Sequence, residues 1–390
     1  MRTLSTLLGL PQHRFASIHV VGTNGKSSVT RMVAALLEAH GVSAGACVSP
    51  HTARWSERIL IHGREIGAAE FAAAVERTAA AAETVNRSLE EGEAVTQFEL
   101  ATAAAFVALA GARVKAAVVE AGLGGRLDAT NTIPSKVTVL TSVGLDHTEW
   151  LGESEEEIAA EKLAVLRDHT TLVLGRVSSS VAEMAERTAR ERGATLIVAP
   201  EDPGAGISLR AAGGFQRRNF ALACAAAQAF LGELDTERSA AVAADLEIPG
   251  RLEPVPGDPP TFLDAAHNPD GAKALGEALP ELAEGRPVIA VLAVLADKDV
   301  RAMIEALAPA LSRAICTELP ASAADRRGLG AVELARICTE SGFTAEAEPD
   351  FAAAVARGRE LALEAAGILL VTGSHYALAP ARAALRLCED

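Results

Sequence analysis

Apolar residues in this chain fall into short unbroken runs instead of alternating with polar ones. "IHVVG", "AGACVS", "AAVVEAG", "KVTVLTSVG", "TTLVLG" and "TLIVA" succeed one another through the first part of the sequence. "TFLDAA", "PVIAVLAV", "RAICTE" and "GILLVTGS" do the same in the second. Such runs, bounded by turn residues, predict strands buried on both faces, as in parallel sheets. The alanine-rich segments between them carry helical spacing. After "VVGTNGKSS", for instance, Val29, Met32, Val33, Leu36 and Leu37 share one stripe and Gly41 supplies a stop. Strand alternating with helix is an α/β pattern. Near residue 247 the composition turns to proline and glycine in "LEIPGRLEPVPGDPP", which predicts a domain boundary. The expected architecture is therefore α/β in two domains. Residues 1–246 would hold a mainly parallel sheet with a phosphate-binding loop, and residues 247–390 a Rossmann-like α/β domain.

Composition narrows the class. A chain of 390 residues with 49% hydrophobic and 22% charged residues is globular and long enough for two domains. Aromatics are only 3%, so the core must be built from Ala, Val and Leu. A net charge of −15 argues against nucleic acid, whose phosphate backbone needs a basic face. Cys47, Cys224, Cys316, Cys338 and Cys388 are dispersed, with no C-x-x-C pair, which reads as reduced thiols in a cytoplasmic protein. "ATAAAFVALAGA" and "VIAVLAVLA" are too short to span a membrane and read as a core helix and a core strand. The opening "MRTLSTLLGLPQHRF" lacks the hydrophobic region of a signal peptide. Small molecules are the expected partners, with no nucleic acid and no membrane.

The chemistry gathers at strand ends. "VVGTNGKSS" places Gly22 and Gly25 in a turn between a strand and a helix, with Lys26 at the helix start. Backbone N–H groups and the helix dipole there favour phosphate, and Lys26 adds a full charge. The strict G-x-x-x-x-G-K-[ST] pattern would have glycine where Val20 stands. Glu120 ends another strand and is followed by Gly122, Gly124 and Gly125; a buried carboxylate there needs a cation or a metal. Asp146 and His147 end a third run, and Ser49 and His51 a fourth. Carboxylate, imidazole and hydroxyl together make an oxygen-rich set that suits Mg²⁺. In the second half, Asp264 and His267 follow the first strand, and Ser374 and His375 the last. In parallel sheets ligands sit at these carboxyl ends. Zinc motifs, a G-x-S-x-G elbow and a G-x-G-x-x-G turn are all absent.

Taken in order, "HVVGTNGKSSVT", "SPHTARWSERI", "QFELATAAAF", "VVEAGLGGRLDATN", "TSVGLDHTEWLG", "IAAEKLAVLR", "RRNFALACAAA", "PGRLE", "LDAAHNPDGA", "VLADKD" and "TGSHY" resemble the folylpolyglutamate synthase/dihydrofolate synthase family of Mur-type amide ligases. The resemblance spreads from residue 19 to residue 376. It implies a ligase that uses ATP to phosphorylate a folate-type carboxylate and then joins L-glutamate to it. Thr23, Asn24, Gly25, Lys26 and Ser27 would bind ATP phosphates, with Asn219, Arg251 and Asp264 as further nucleotide contacts. Ser49, Glu120 and His147 look like the magnesium positions. Lys162 matches a lysine that the family carbamylates beside a second Mg²⁺; from the residues alone it reads as a solvated helix position. His267 and Ser374 resemble positions that hold the incoming glutamate. Thr96 and Phe98, with Arg126 and Asp128 of the "GGRLD" loop, resemble the wall of the folate pocket. Lys26, Glu120, His147 and Lys162 would carry the catalysis, in an enzyme expected to be monomeric.

The sequence departs from the family pattern after Lys26, where Ser27 stands in place of the usual glycine. The segment before the loop is also short, which leaves no recognisable grip for dihydropteroate. Three readings follow. One is a folate-extending enzyme, with or without dihydrofolate synthase activity. Another is a paralogue joining an amino acid to a different aromatic carboxylate, and the last is a P-loop ATPase or kinase without amide synthesis.

Overall fold

All ten apolar runs become strands, and nine of them lie mostly buried; the exception is Thr195–Val198, at a sheet edge with Val198 66% exposed. A computed structural model of the chain describes residues 1–320 and 327–386, so Cys388 lies outside the described residues. The first sheet contains β1 (Ala16–Val21), β2 (Ala44–Cys47), β3 (Ile59–Ile61), β4 (Arg64–Glu65), β5 (Ala116–Glu120), β6 (Ser135–Leu140), β7 (Thr171–Leu174) and β8 (Thr195–Val198). Its strand order is β4-β3-β2-β5-β1-β6-β7-β8. Every pairing is parallel except β2 with β3 and β3 with β4. The second sheet contains β9 (Glu253–Val255), β10 (Thr261–Leu263), β11 (Val288–Leu292), β12 (Arg313–Cys316), β13 (Thr344–Ala347) and β14 (Ile368–Thr372). Its order is β13-β12-β11-β14-β10-β9, parallel except for β9 on β10.

Four short strands lie outside those ten runs: β4, β9 and β13 at sheet edges, and β3, the apolar Ile59–Ile61, one place in from an edge. A margin strand is covered on fewer sides, so its sequence can stay short or polar. Central strands show the converse. β5, β11 and β14 are buried at every residue.

Contacts divide the chain into two units, Met1–Ser208 with Arg217–Leu246, and Leu209–Gln216 with Glu247–Asp390. Unit 1 has its core around the helix Gln97–Gly111, buried continuously from Thr102 to Leu109. Phe15 meets Phe106 there edge to face, at 6.3 Å between ring centres. In unit 2 the helices Pro269–Ala283 and Val300–Leu307 bury Leu275, Leu279, Met303 and Ile304 against β11 and β12. No helix among the described residues is long and apolar enough to cross a membrane.

In the first sheet, β1 lies between β5 and β6, and the chain visits one side of β1 before the other. That reversal opens a crevice at the carboxyl end of β1, the usual ligand position in such sheets. Residues 22–25 lie there.

Candidate functional site

The loop after β1 is shaped by two glycines. Gly22 has φ +152° and Gly25, which caps the helix Lys26–Ala39, has φ +83°. A side chain at Gly22 would meet Thr141 Oγ1 at 1.9 Å, and one at Gly25 would meet Asn219 Oδ1 at 2.7 Å. So the loop is pressed between the end of β6 and the helix Gly214–Leu231. Hydroxyls after β6 hold it in place. Thr141 Oγ1 donates to Asn24 O (2.6 Å), and Asn24 N–H donates to Ser142 Oγ (3.0 Å). Thr23 N–H donates to Ser142 O at 2.9 Å. Lys26 Nζ donates to Thr23 O at 3.0 Å, folding back over the loop it would serve.

Glu120 ends β5 and is 2% exposed. Its Oε1 accepts from Ser27 Oγ (2.8 Å) and its Oε2 from Ser49 N–H (2.8 Å). Ser27 also donates to Ser49 O at 3.2 Å. The serine that replaces the family glycine therefore ties the phosphate loop to the buried carboxylate. His147 follows Asp146, in a left-handed turn at φ +53°. Its N–H donates to Asp146 Oδ1 (3.0 Å), and its Nε2 lies 3.8 Å from the same oxygen. Among the described residues no three His, Cys, Asp or Glu side chains converge on one point. The metal-ligating atoms gathered at Glu120 are oxygens, its own carboxylate and the Ser27 hydroxyl, with Ser49 held beside them through its backbone. Such a set fits a hard cation such as Mg²⁺ better than zinc.

Lys162 is not a solvated helix residue. It sits on the helix Glu155–Leu163, is 3% exposed, and donates from Nζ to Gly22 O at 3.0 Å. Burial first, and then Lys26, push its pKa down from 10.5 to about 7, with Asp146 and Asp128 opposing the shift. Gly125 lets the "GLGG" turn lie against this helix, since a side chain there would meet Glu161 O at 2.6 Å.

A stability test follows from the lysine. Below pH 7 both folded and unfolded chains hold its proton, and the fold carries the full burial penalty. Between about pH 7 and 10.5 only the unfolded chain holds it, so this group makes stability rise with pH. In CO₂-free buffer, denaturant titrations should show wild type gaining on Lys162→Met by about 1 kcal/mol per pH unit in that window. Parallel pH profiles would rule out the buried charge.

The residues expected at the acceptor wall have visible local roles. Thr96 caps the helix Gln97–Gly111, accepting from Glu99 N–H (3.2 Å) while Glu99 Oε2 accepts from Thr96 N–H (2.9 Å). The Cζ tip of the Phe98 ring abuts Gly122, where a side chain would overlap it. Asp128 closes the turn after β5, accepting from the N–H groups of Gly122 (3.0 Å), Leu123 (2.9 Å) and Thr130 (2.9 Å). Arg126 is half exposed and pairs with Glu161 at 2.8 Å.

The "SPHTARWSERI" segment forms a cluster of its own. Arg58 Nε donates to His51 Nδ1 (3.0 Å), and the Arg58 guanidinium lies 4.4 Å from the centre of the Trp55 ring. His51 stacks obliquely on Trp55 at 4.5 Å. Burial and Arg58 hold His51 below the usual histidine range. Trp150, three residues beyond His147, is 71% exposed.

In unit 2 the residues after β10 form a compact turn. Asp264 accepts from Leu252 N–H (2.9 Å) and Ala266 N–H (2.8 Å), bringing Arg251 beside it. Burial pushes the Asp264 carboxyl up, against the opposing effect of Arg251 and these two N–H donors. His267 Nδ1 donates to Ala265 O at 2.9 Å, and Asn268 caps the helix Pro269–Ala283. Ser374, 1% exposed, follows β14 and accepts from Tyr376 N–H at 3.2 Å.

Thr141 and Ser142 were not singled out as site residues from the sequence. Two adjacent hydroxyls directly after an apolar run, in "LTSVG", are the signal that marks them.

Comparison with known proteins agrees with this geometry. A family model described as the Mur ligase middle domain matches residues 20–205, and one described as the Mur ligase, glutamate ligase domain matches residues 250–375. The dihydrofolate synthase/folylpolyglutamate synthase of Mycobacterium tuberculosis is 36% identical over 354 residues, covering 80% of this chain and 72% of that protein. A crystal structure of Mycobacterium tuberculosis folylpolyglutamate synthase complexed with ADP and AMPPCP superposes with a TM-score of 0.91, at 32% identity, over 100% of this chain and 95% of that one. A bifunctional folylpolyglutamate synthase/dihydrofolate synthase with Mn, AMPPNP and L-glutamate bound superposes with a TM-score of 0.82, at 28% identity, over 98% and 92%.

Proposed function

The chain belongs to the folylpolyglutamate synthase/dihydrofolate synthase family of Mur-type ligases, and from that premise we propose how it acts. It is an ATP-dependent ligase that joins L-glutamate to a folate-type carboxylate, with a divalent metal ion. The observation that carries this reading is that Lys26, Glu120 and Lys162 all reach residues 22–27 or their backbone, from three different elements. Residues 1–246 act as the ATP-binding domain and residues 247–390 as the glutamate-ligase domain.

The residues explain the chemistry as follows. A free carboxylate resists an amine because oxide is a poor leaving group. Transfer of the terminal phosphoryl group of ATP to that carboxylate gives an acyl phosphate and ADP. The neutral amine of glutamate then attacks the acyl carbon, the bond to phosphate breaks, and the nitrogen loses a proton. Lys26 and the N–H groups that open the helix Lys26–Ala39 neutralise the phosphate oxygens. Thr23, Asn24, Gly25 and Ser27 shape that cradle, with Asn219 against Gly25. Ser49, Glu120 and His147 are the proposed Mg²⁺ residues; when bound, the metal supplies positive charge against the transferring group. In unit 2, Arg251 and Asp264 are proposed for the nucleotide, and His267 and Ser374 for the incoming glutamate. Thr96, Phe98, Arg126 and Asp128 form or support the acceptor wall.

A lysine with a pKa near 7 is about half neutral at neutral pH, and that fraction is nucleophilic toward CO₂. Its attack would form a carbamate with loss of one proton, an extra carboxylate for a second Mg²⁺. Intact mass of native enzyme in bicarbonate should rise by one CO₂, and Lys162→Met should not respond. The protein is proposed to act as a monomer in the cytoplasm.

Acceptor identity is tested by one assay. Tetrahydrofolate, dihydropteroate and simple aromatic acids are each supplied with glutamate, ATP and Mg²⁺, and phosphate release is measured beside product mass. Glutamylated tetrahydrofolate is the expected product. Turnover on dihydropteroate as well would make the enzyme bifunctional. Turnover only on a non-folate acid would replace this reading with the specialised paralogue.

A further inference from the structure

At the amino end of β6, away from the phosphate loop, unit 1 holds a cavity of about 570 Å³. Arg2, His13, Lys136 and Arg167 line it, and no Asp or Glu does. In a chain of net charge −15, four basic side chains around one cavity without a lining carboxylate is an unusual concentration. Arg167 is anchored to the segment that leads into β6. Its Nη2 donates to Asn131 O (2.7 Å), Asn131 Oδ1 (2.8 Å) and Ile133 O (3.1 Å). The adjacent Asp168 is exposed and pairs with Arg192 at 3.0 Å. Burial, then Arg192 and Arg2, depress the Arg167 pKa, against the opposing effect of Asp168.

Two buried polar atoms in the same lining have no partner. Gln12 (3% exposed) leaves Oε1 unpaired, and Ser135 (2% exposed) leaves its hydroxyl unpaired. Buried polar atoms are rarely left so unless something meets them. Leu10, Ile133 and Pro134 add an apolar wall, and the volume exceeds what a bare inorganic ion needs.

We propose that this cavity is a second ligand site, taking a phosphorylated small molecule of nucleotide size. Arg2, Lys136 and Arg167 meet its phosphate oxygens, Ser135 donates to one of them, and Gln12 accepts from an N–H or O–H of its organic part. The site lies at the opposite strand ends from Lys26, so it does not share the phosphate loop.

Hydrogen exchange of the full chain with millimolar ADP, and separately with pyrophosphate, tests the assignment. ADP is expected to protect peptides covering 10–14 and 131–137, in addition to those covering 20–30. The doubly charge-reversed Arg2→Glu/Lys136→Glu variant, altered at two exposed positions, should lose the first protection and keep the second. Its ADP affinity at the second site should fall by roughly tenfold or more, with glutamate ligation unchanged. Protection confined to 20–30, or protection at 131–137 that survives the charge reversal, would overturn the proposal. Equal protection by pyrophosphate alone would also overturn it, since the organic part would then contribute nothing.

Discussion

Lys26→Ala should lower turnover by about a thousandfold or more while the thermal midpoint stays within a few degrees of wild type. Lys26 is the first residue of its helix and half-buried, and its Nζ reaches Thr23 O within the loop. Nothing in the apolar core leans on it, so the fold has little to lose. Its expected contribution is to the reaction. Negative charge concentrates on the phosphoryl group in transfer, and a preplaced cation is worth several kcal/mol there. Steady-state phosphate release together with a melting curve checks both halves. Near-wild-type turnover would remove Lys26 from the phosphate site and the ATP assignment with it.

Glu120→Gln should be the second large effect, on the order of a hundredfold in turnover at ordinary Mg²⁺. The substitution keeps shape and removes charge. A glutamine can offer its carbonyl oxygen to Ser49 N–H and its amide to Ser27 Oγ, so both contacts now made by Glu120 survive. The fold is therefore expected to hold. What is lost is the anionic oxygen for the metal, so the Mg²⁺ concentration for half-maximal rate should rise sharply. A Mg²⁺ titration of both forms distinguishes the cases: an unchanged half-maximal concentration would exclude Glu120 as a metal ligand, and full activity in excess chelator would exclude the metal.

The sheets were legible because burial on both faces forces unbroken apolar runs. The edge strands β4, β9 and β13 carry no such constraint, and β3, although apolar, is only three residues long, so none of the four stands out as a run. Glu120 and the loop residues were legible for a related reason, since polar residues at the end of an apolar run stand out. Lys162 was not. Its sequence surroundings, "AAEKLAVLR", read as an amphipathic helix, and only packing of Gly125 against Glu161 turns that face inward. Asn219 likewise stands 194 positions from Gly25 in sequence, and chain geometry alone brings them together. Thr96 carried a local signal of another kind: Thr-x-x-Glu ahead of an apolar helix is a capping box, and Thr96 and Glu99 form one.

The scarcity of aromatics has an optical consequence. The chain has two tryptophans and one tyrosine, and neither tryptophan belongs to a core. Trp55 is packed between His51 and Arg58 on the segment that carries Ser49, and Trp150 stands exposed three residues past His147. Intrinsic emission from this protein is therefore a report from the loops around the proposed metal residues, with almost no background from the interior. The Arg58 guanidinium and the neutral His51 ring against Trp55 tie its emission to the position of the Ser49 segment, so a movement of that segment changes the signal. The aliphatic core, by contrast, is dark, and its melting is better followed by backbone dichroism than by fluorescence.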